Sequence, residues 1–120
     1  MPRRPSTILL VEDDADLRSA FRLALTSAGF DVLEAPDGLQ AIQRIGAGTA
    51  DLIVLDMGLP GVDGYGVLAE LANDPRHQSI PVVVVSGDSD AALDRLNVTC
   101  VARKPVSPDI LVTIVRRCLA

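Results

Sequence analysis

A chain of 120 residues, 48% of them hydrophobic, is long enough for one domain with a buried core. Its formal charge of −5 argues against nucleic acid or an anionic membrane as a direct partner. Only 2% of the residues are aromatic, so the core is aliphatic, which suits strands buried on both faces.

Aliphatic runs and helical patterns alternate along the chain. A first strand is expected at 7–11, ending in Glu12-Asp13-Asp14. Leu17, Phe21, Ala24, Leu25 and Ala28 then fall at helical spacing, with Gly29 as the stop. A second strand is expected at 31–34. The helix after it begins at Asp37, carries Leu39, Ile42 and Ile45, and closes at Gly46 and Gly48. A third strand at 52–55 runs into Asp56, and a third helix at 65–72 ends at Asn73-Asp74-Pro75. A fourth strand at 82–85 is topped by Ser86, and a short fourth helix is expected at 91–96. A weaker fifth strand at 98–102 leads to Lys104-Pro105. Ser107 then serves as N-cap and Pro108 as the first turn of a last helix through Leu111, Ile114, Val115 and Cys118. Five strands alternating with five helices give an α/β class with a parallel sheet covered on both faces.

In such sheets ligands bind at the carboxyl ends of the strands, beside the point where strand order reverses. Glu12, Asp13 and Asp56 all lie at such ends. If their strands are neighbours, the carboxylates crowd together, which costs energy unless a cation or proton compensates. A hard divalent metal beside a reactive aspartate is the natural use of that cluster. Ser86 adds a hydroxyl to the same edge. Lys104, the only lysine in the chain, adds a compact ammonium, and the peptide to Pro105 is a candidate for the cis form.

The segments Ile8-Leu-Leu-Val-Glu-Asp-Asp14, Asp51-Leu-Ile-Val-Leu-Asp-Met-Gly-Leu-Pro-Gly-Val-Asp-Gly64, Ile80-Pro-Val-Val-Val-Val-Ser-Gly87 and Lys104-Pro105 together resemble the receiver domain of two-component response regulators. The resemblance covers essentially the whole chain, residues 1–120 forming a single receiver domain. It implies a flavodoxin-like, CheY-like (βα)5 three-layer sandwich with strand order 2-1-3-4-5. It also implies that Asp56 accepts a phosphoryl group from a phosphohistidine on a sensor histidine kinase or histidine phosphotransfer protein, with Mg2+ or Mn2+ as cofactor. By the same resemblance Asp13 is a direct metal ligand, Glu12 acts through water, and the Gly58 carbonyl adds another oxygen. Asp14, next in the chain, is read as the N-cap of the first helix. Ser86 and Lys104 engage the phosphoryl oxygens, and Gly87 leaves the site open to a bulky donor. The domain assists its own phosphorylation and dephosphorylation without being an enzyme in its own right.

This chain departs from the family at two places. Receiver domains usually carry Tyr or Phe three residues before the lysine, where Val101 stands here. A β-branched side chain with few rotamers cannot make the large inward swing of a ring. The interval from Ser86 to Lys104 is also short by about four residues, roughly one helical turn, which shortens the helix 4 region. On switching, Ser86 and the loop after it are therefore expected to move toward the phosphoryl group, with the change concentrated at residues 87–90 and Val101 in one rotamer. Two other classes fit less well: an interaction module that signals without phosphorylation, and a small hydrolase. The latter would need the second aspartate that Asp56-Met-Gly lacks. His77 precedes the fourth strand, at the wrong edge to donate phosphate or bind the metal. Cys100 and Cys118 show no metal-ligand spacing and are expected as free thiols. Met1-Pro-Arg-Arg-Pro has no apolar stretch of a signal peptide and no run is long enough to span a bilayer, so a cytoplasmic location is expected.

Overall fold

The computed structural model describes residues 5–57, 64–87 and 100–120. Its elements, in chain order, are β1 (Thr7–Val11), α1 (Ala15–Ser27), β2 (Asp31–Ala35), α2 (Gly38–Gly46), β3 (Leu52–Asp56), α3 (Gly64–Asn73), β4 (Val82–Ser86), β5 (Cys100–Arg103) and α4 (Pro108–Leu119). The strands form one sheet in the order β2-β1-β3-β4-β5, and every pairing is parallel. The expected α/β architecture and strand order are therefore observed. The short helix expected at 91–96 lies outside the described residues, as do Val98 and Thr99 of the fifth strand expected at 98–102.

Alternation along the strands sorts the aliphatic side chains into two layers. Leu9 and Val11 pack with Ile53, Leu55 and Val84 against Ala41 and Ile45 of α2 and Val67, Leu68 and Leu71 of α3. Ile8 and Leu10 face the other way. They join Val54, Val83 and Val85 against Phe21 and Leu25 of α1 and Leu111, Val112 and Val115 of α4. Because both faces are covered, β3 and β4 are buried along their whole length, which explains their unbroken Val, Leu and Ile runs.

Local chemistry fixes the helix starts and stops. The Asp14 carboxylate accepts from the N–H groups of Asp16 and Leu17 at 3.0 and 3.2 Å, Asp37 from Gln40 at 2.8 Å, and the Ser107 hydroxyl from Ile110 at 3.3 Å. After α1 the chain turns through Gly29 with φ of 99°, a left-handed conformation open to glycine. Among the described residues, no helix is long and apolar enough to cross a membrane.

The cysteines correct the sequence expectation. Cys100 and Cys118 are not free thiols but a disulfide, with Cα atoms 6.7 Å apart, inside the span such a bond bridges. The pairing follows from tertiary packing. α4 returns over β5, so its last turn meets the first residue of the strand, and a sequence separation of 18 residues does not announce that contact.

Candidate functional site

Parallel pairing carries the carboxyl ends of four neighbouring strands to one edge. Val11 lies opposite Leu55 across β1 and β3, so the residues that follow, Glu12 and Asp56, are brought side by side. Asp56 pairs with Val85, one residue short of Ser86, and Ser86 pairs with Arg103, one residue short of Lys104. The register alone thus aligns Glu12, Asp56, Ser86 and Lys104. Backbone bonds hold the alignment. The Glu12 N–H donates to the Ala35 carbonyl at 3.1 Å, the Met57 N–H to the Val85 carbonyl at 3.2 Å and the Lys104 N–H to the Ser86 carbonyl at 2.9 Å.

Carboxylate oxygens of Glu12, Asp13 and Asp56 lie within 4.8 Å of one another. Glu12 and Asp56 are buried, at 2% and 4% exposure, while Asp13 faces solvent. The Lys104 ammonium donates to Asp56 Oδ1 at 3.1 Å, and the Lys104-Pro105 peptide is cis. Ser86 is buried at the same edge, whereas Gly87 beside it is exposed, with ordinary van der Waals room around its α-carbon.

Among the described residues, three carboxylates against one ammonium leave two unbalanced negative charges when all are ionised, the complement of one divalent cation. Without such a cation the imbalance falls on Glu12. Burial pushes its carboxyl up to about 8; the hydrogen bond to Asp56, the Asp56 charge and a hydrogen bond to Asp13 push the same way. The donor set is all oxygen, which suits a hard ion, so the acidic cluster fits Mg2+. Gly58, whose carbonyl was expected to join this set, lies outside the described residues.

Other expected residues fall where their strands put them. Val101 is half-exposed on β5, next to buried Ala102, which points into the α1/α4 layer. His77 is buried in the turn before β4, with Nδ1 at 3.3 Å from Asp74 Oδ2, at the edge opposite the acid cluster. The expected motion of residues 87–90 involves positions 88–90, outside the described residues.

Two contributors escaped sequence reasoning. Arg18 Nη1 donates to the Glu12 carbonyl at 2.9 Å, while its Nε lies 3.3 Å from Glu34 Oε1. That guanidinium ties the acidic loop after β1 to the next strand. Its place one helical turn beyond the Asp14 cap was the available signal. Gly64 opens α3 directly against the end of β3. A Cβ there would sit 2.8 Å from Met57 Cα and 3.2 Å from the Asp56 carbonyl oxygen, so only glycine permits the approach. A glycine before a helical pattern carries no signal of such contact.

An apolar groove of about 440 Å³ runs beside the cluster. It is lined by Leu17 and Phe21 of α1, Val85, Gly87, Lys104, Pro105 and Val106.

Comparison with known proteins agrees with this geometry. The profile of the response regulator receiver domain matches residues 8–116. The transcriptional regulatory protein CseB of Streptomyces coelicolor is 36% identical over 84 residues, 70% of this chain and 35% of that protein. The phosphate regulon transcriptional regulatory protein PhoB of Pseudomonas aeruginosa is 36% identical over 110 residues, 88% of this chain and 48% of its own length. The chain thus spans about a third to a half of the curated relatives named here. Among solved structures, a response regulator from Chloroflexus aurantiacus superposes with a TM-score of 0.88 at 28% identity, over 97% of this chain and 98% of that one.

Proposed function

The chain belongs to the response regulator receiver domain family, the phosphoacceptor domain of two-component signalling, and from that membership we propose that Asp56 is its phosphoacceptor. The observation that carries the assignment is the ammonium of Lys104 at 3.1 Å from a buried Asp56 carboxylate that shares its edge with two further acids.

In this reading an Asp56 oxygen attacks the phosphorus of a phosphohistidine. The P–N bond breaks, an acyl phosphate forms, and the imidazole leaves with a proton. Phosphoryl transfer asks the protein mainly for positioning and charge neutralisation. Lys104 follows the transferred group and pairs with one of its oxygens, while the Ser86 hydroxyl donates to another. Glu12, Asp13 and Asp56 would hold Mg2+ or Mn2+, Asp13 directly and Glu12 through water, and the ion would supply positive charge against the phosphoryl oxygens. Arg18 keeps the Glu12 backbone in place through the 2.9 Å bond to its carbonyl.

The partner is a sensor histidine kinase or a histidine phosphotransfer protein, acting in the cytoplasm. Its approach is supported by the apolar groove on α1 and the loop after β5, whose wall includes Lys104 itself. A donor seated there presents its imidazole to Asp56 past the open flank of Gly87. Residues 1–120 act as one receiver domain, which takes part in its own phosphorylation and dephosphorylation and turns over no external substrate.

Acetyl phosphate with Mg2+, followed by intact mass measurement, tests the assignment. One labile phosphoryl adduct is expected, absent from Asp56→Ala and absent when EDTA is present. Labelling of Asp56→Ala at the wild-type level would overturn it. Failure of the wild type to label, with Mg2+ bound, would favour a domain that signals by binding alone.

A further inference from the structure

The two cysteines of the chain both lie on its last two elements. Cys100 opens β5 and Cys118 sits in the last turn of α4. Both are half-buried against the α1/α4 layer, and their sulfurs are bonded. The bond closes a loop of chain that contains Lys104, the cis peptide and nearly all of α4. We propose that Cys100 and Cys118 are a reversible dithiol–disulfide site, oxidised by hydroperoxides and reduced by dithiols, which sets how tightly the end of α4 is held to the start of β5.

Three observations favour a reversible site over a permanent staple. Contacts other than the bond also hold both elements in the fold. β5 pairs with β4 over four residues, and α4 buries Leu111, Val112 and Val115 in the core. Both cysteines retain some exposure, so small reagents reach them, and accessible disulfides are the labile ones. The linkage also lies at the far end of β5 from Asp56. At the Asp56 end, the Lys104 N–H on the Ser86 carbonyl and the Lys104 ammonium on Asp56 hold the lysine independently. Opening the bond therefore frees the last turn of α4, residues 116–119, and leaves the phosphoacceptor edge assembled.

The chemistry balances. One thiolate attacks the hydroxyl oxygen of a hydroperoxide, the O–O bond breaks, a sulfenic acid forms, and the departing alkoxide (or hydroxide) takes a proton from solvent to leave as alcohol (or water). The second thiolate attacks the sulfenic sulfur, the S–S bond forms, and hydroxide leaves to be protonated as water. In reverse, a dithiol opens the bond by two successive exchanges, becomes a disulfide itself, and its protons pass to Cys100 and Cys118.

Intact mass and amide hydrogen exchange of the full chain test the proposal, in dithiothreitol and after dialysis into dilute hydrogen peroxide. Reduction should add two hydrogens and raise exchange several-fold at residues 116–119, with peroxide reversing both. Cys118→Ser should show the fast exchange under both conditions. Acetyl phosphate labelling should be unchanged between the two redox states, at whatever level it has, so a failure of the Asp56 assignment would not disturb this result. Thiols that stay free in peroxide, disulfide-linked dimers, exchange that reduction does not alter, or global unfolding on reduction would each overturn the proposal.

Discussion

The two edges of the sheet handle buried and exposed carboxylates in opposite ways. At the edge before β4, Asp74 meets the Arg76 guanidinium at 2.8 Å and His77 at 3.3 Å. The Arg76 side chain, helped by its backbone N–H, holds the Asp74 carboxyl down at about 2. At the carboxyl edge, among the described residues, three acids cluster where one ammonium, that of Lys104, donates to Asp56, and Glu12 is pushed up to about 8. The first cluster is complete as it stands. The second, among the described residues, has fewer positive charges than carboxylates, and that deficit distinguishes a site from a turn.

The largest effects should follow from altering the deficient edge. With Asp13 as the direct ligand and Glu12 acting through water, as proposed above, Asp13→Asn should weaken Mg2+ binding by more than about 100-fold and Glu12→Gln by about tenfold. Isothermal titration of the two variants checks the order, and the reverse order would exchange their roles. Next in size is Gly64→Ala. Its Cβ would press on the Met57 backbone, costing about 1–3 kcal/mol by overpacking. Urea unfolding should show that loss, with weaker Mg2+ binding as the end of β3 shifts. Unchanged stability would mean that α3 yields freely.

The smallest effect is expected at the complete edge. Arg76→Ala removes a solvent-exposed partner, so Mg2+ affinity should match the wild type and the urea midpoint should barely move. Asp74 should lose its depressed pKa, visible by carboxyl NMR titration. A fall in Mg2+ affinity would join the two edges in a way the distances do not support.

Much of this comparison was legible in the residues. Val, Leu and Ile runs ending in acids marked β1 and β3 and put Glu12 and Asp56 at strand ends, because strands buried on both faces leave no alternation to misread. The ends of β2, β3, β4 and β5 each ran one residue further than the pattern. Ala35, Asp56, Ser86 and Arg103 stay in the ladder through backbone pairing, which side-chain hydropathy does not report. The caps Asp14 and Ser107 were readable because each bonds within three residues of itself, and Asp37, read as the start of its helix, caps it in the same way. What escaped depends on contacts distant in sequence or on contacts a side chain would forbid. The disulfide requires α4 to fold back on β5, and the role of Gly64 lies in what its missing side chain would strike.

The charge deficit has a direct thermodynamic signature. Between about 4.5 and about 8, the Glu12 carboxyl is ionised in the unfolded chain but protonated in the fold. The unfolded state then binds fewer protons, so metal-free stability should fall as pH rises through that window. Asp74 runs the other way: its contribution is present above 3.8 and lost as pH falls towards 2. Thermal unfolding between pH 5 and pH 8, with and without Mg2+, is the most direct measurement (pH values roughly bracketing the window). The midpoint should decline with pH in EDTA, the gain from Mg2+ should grow with pH, and the metal-free profile of Glu12→Gln should be flatter. A metal-free midpoint that rises across the window, or a gain from Mg2+ that shrinks with pH, would contradict the charge deficit.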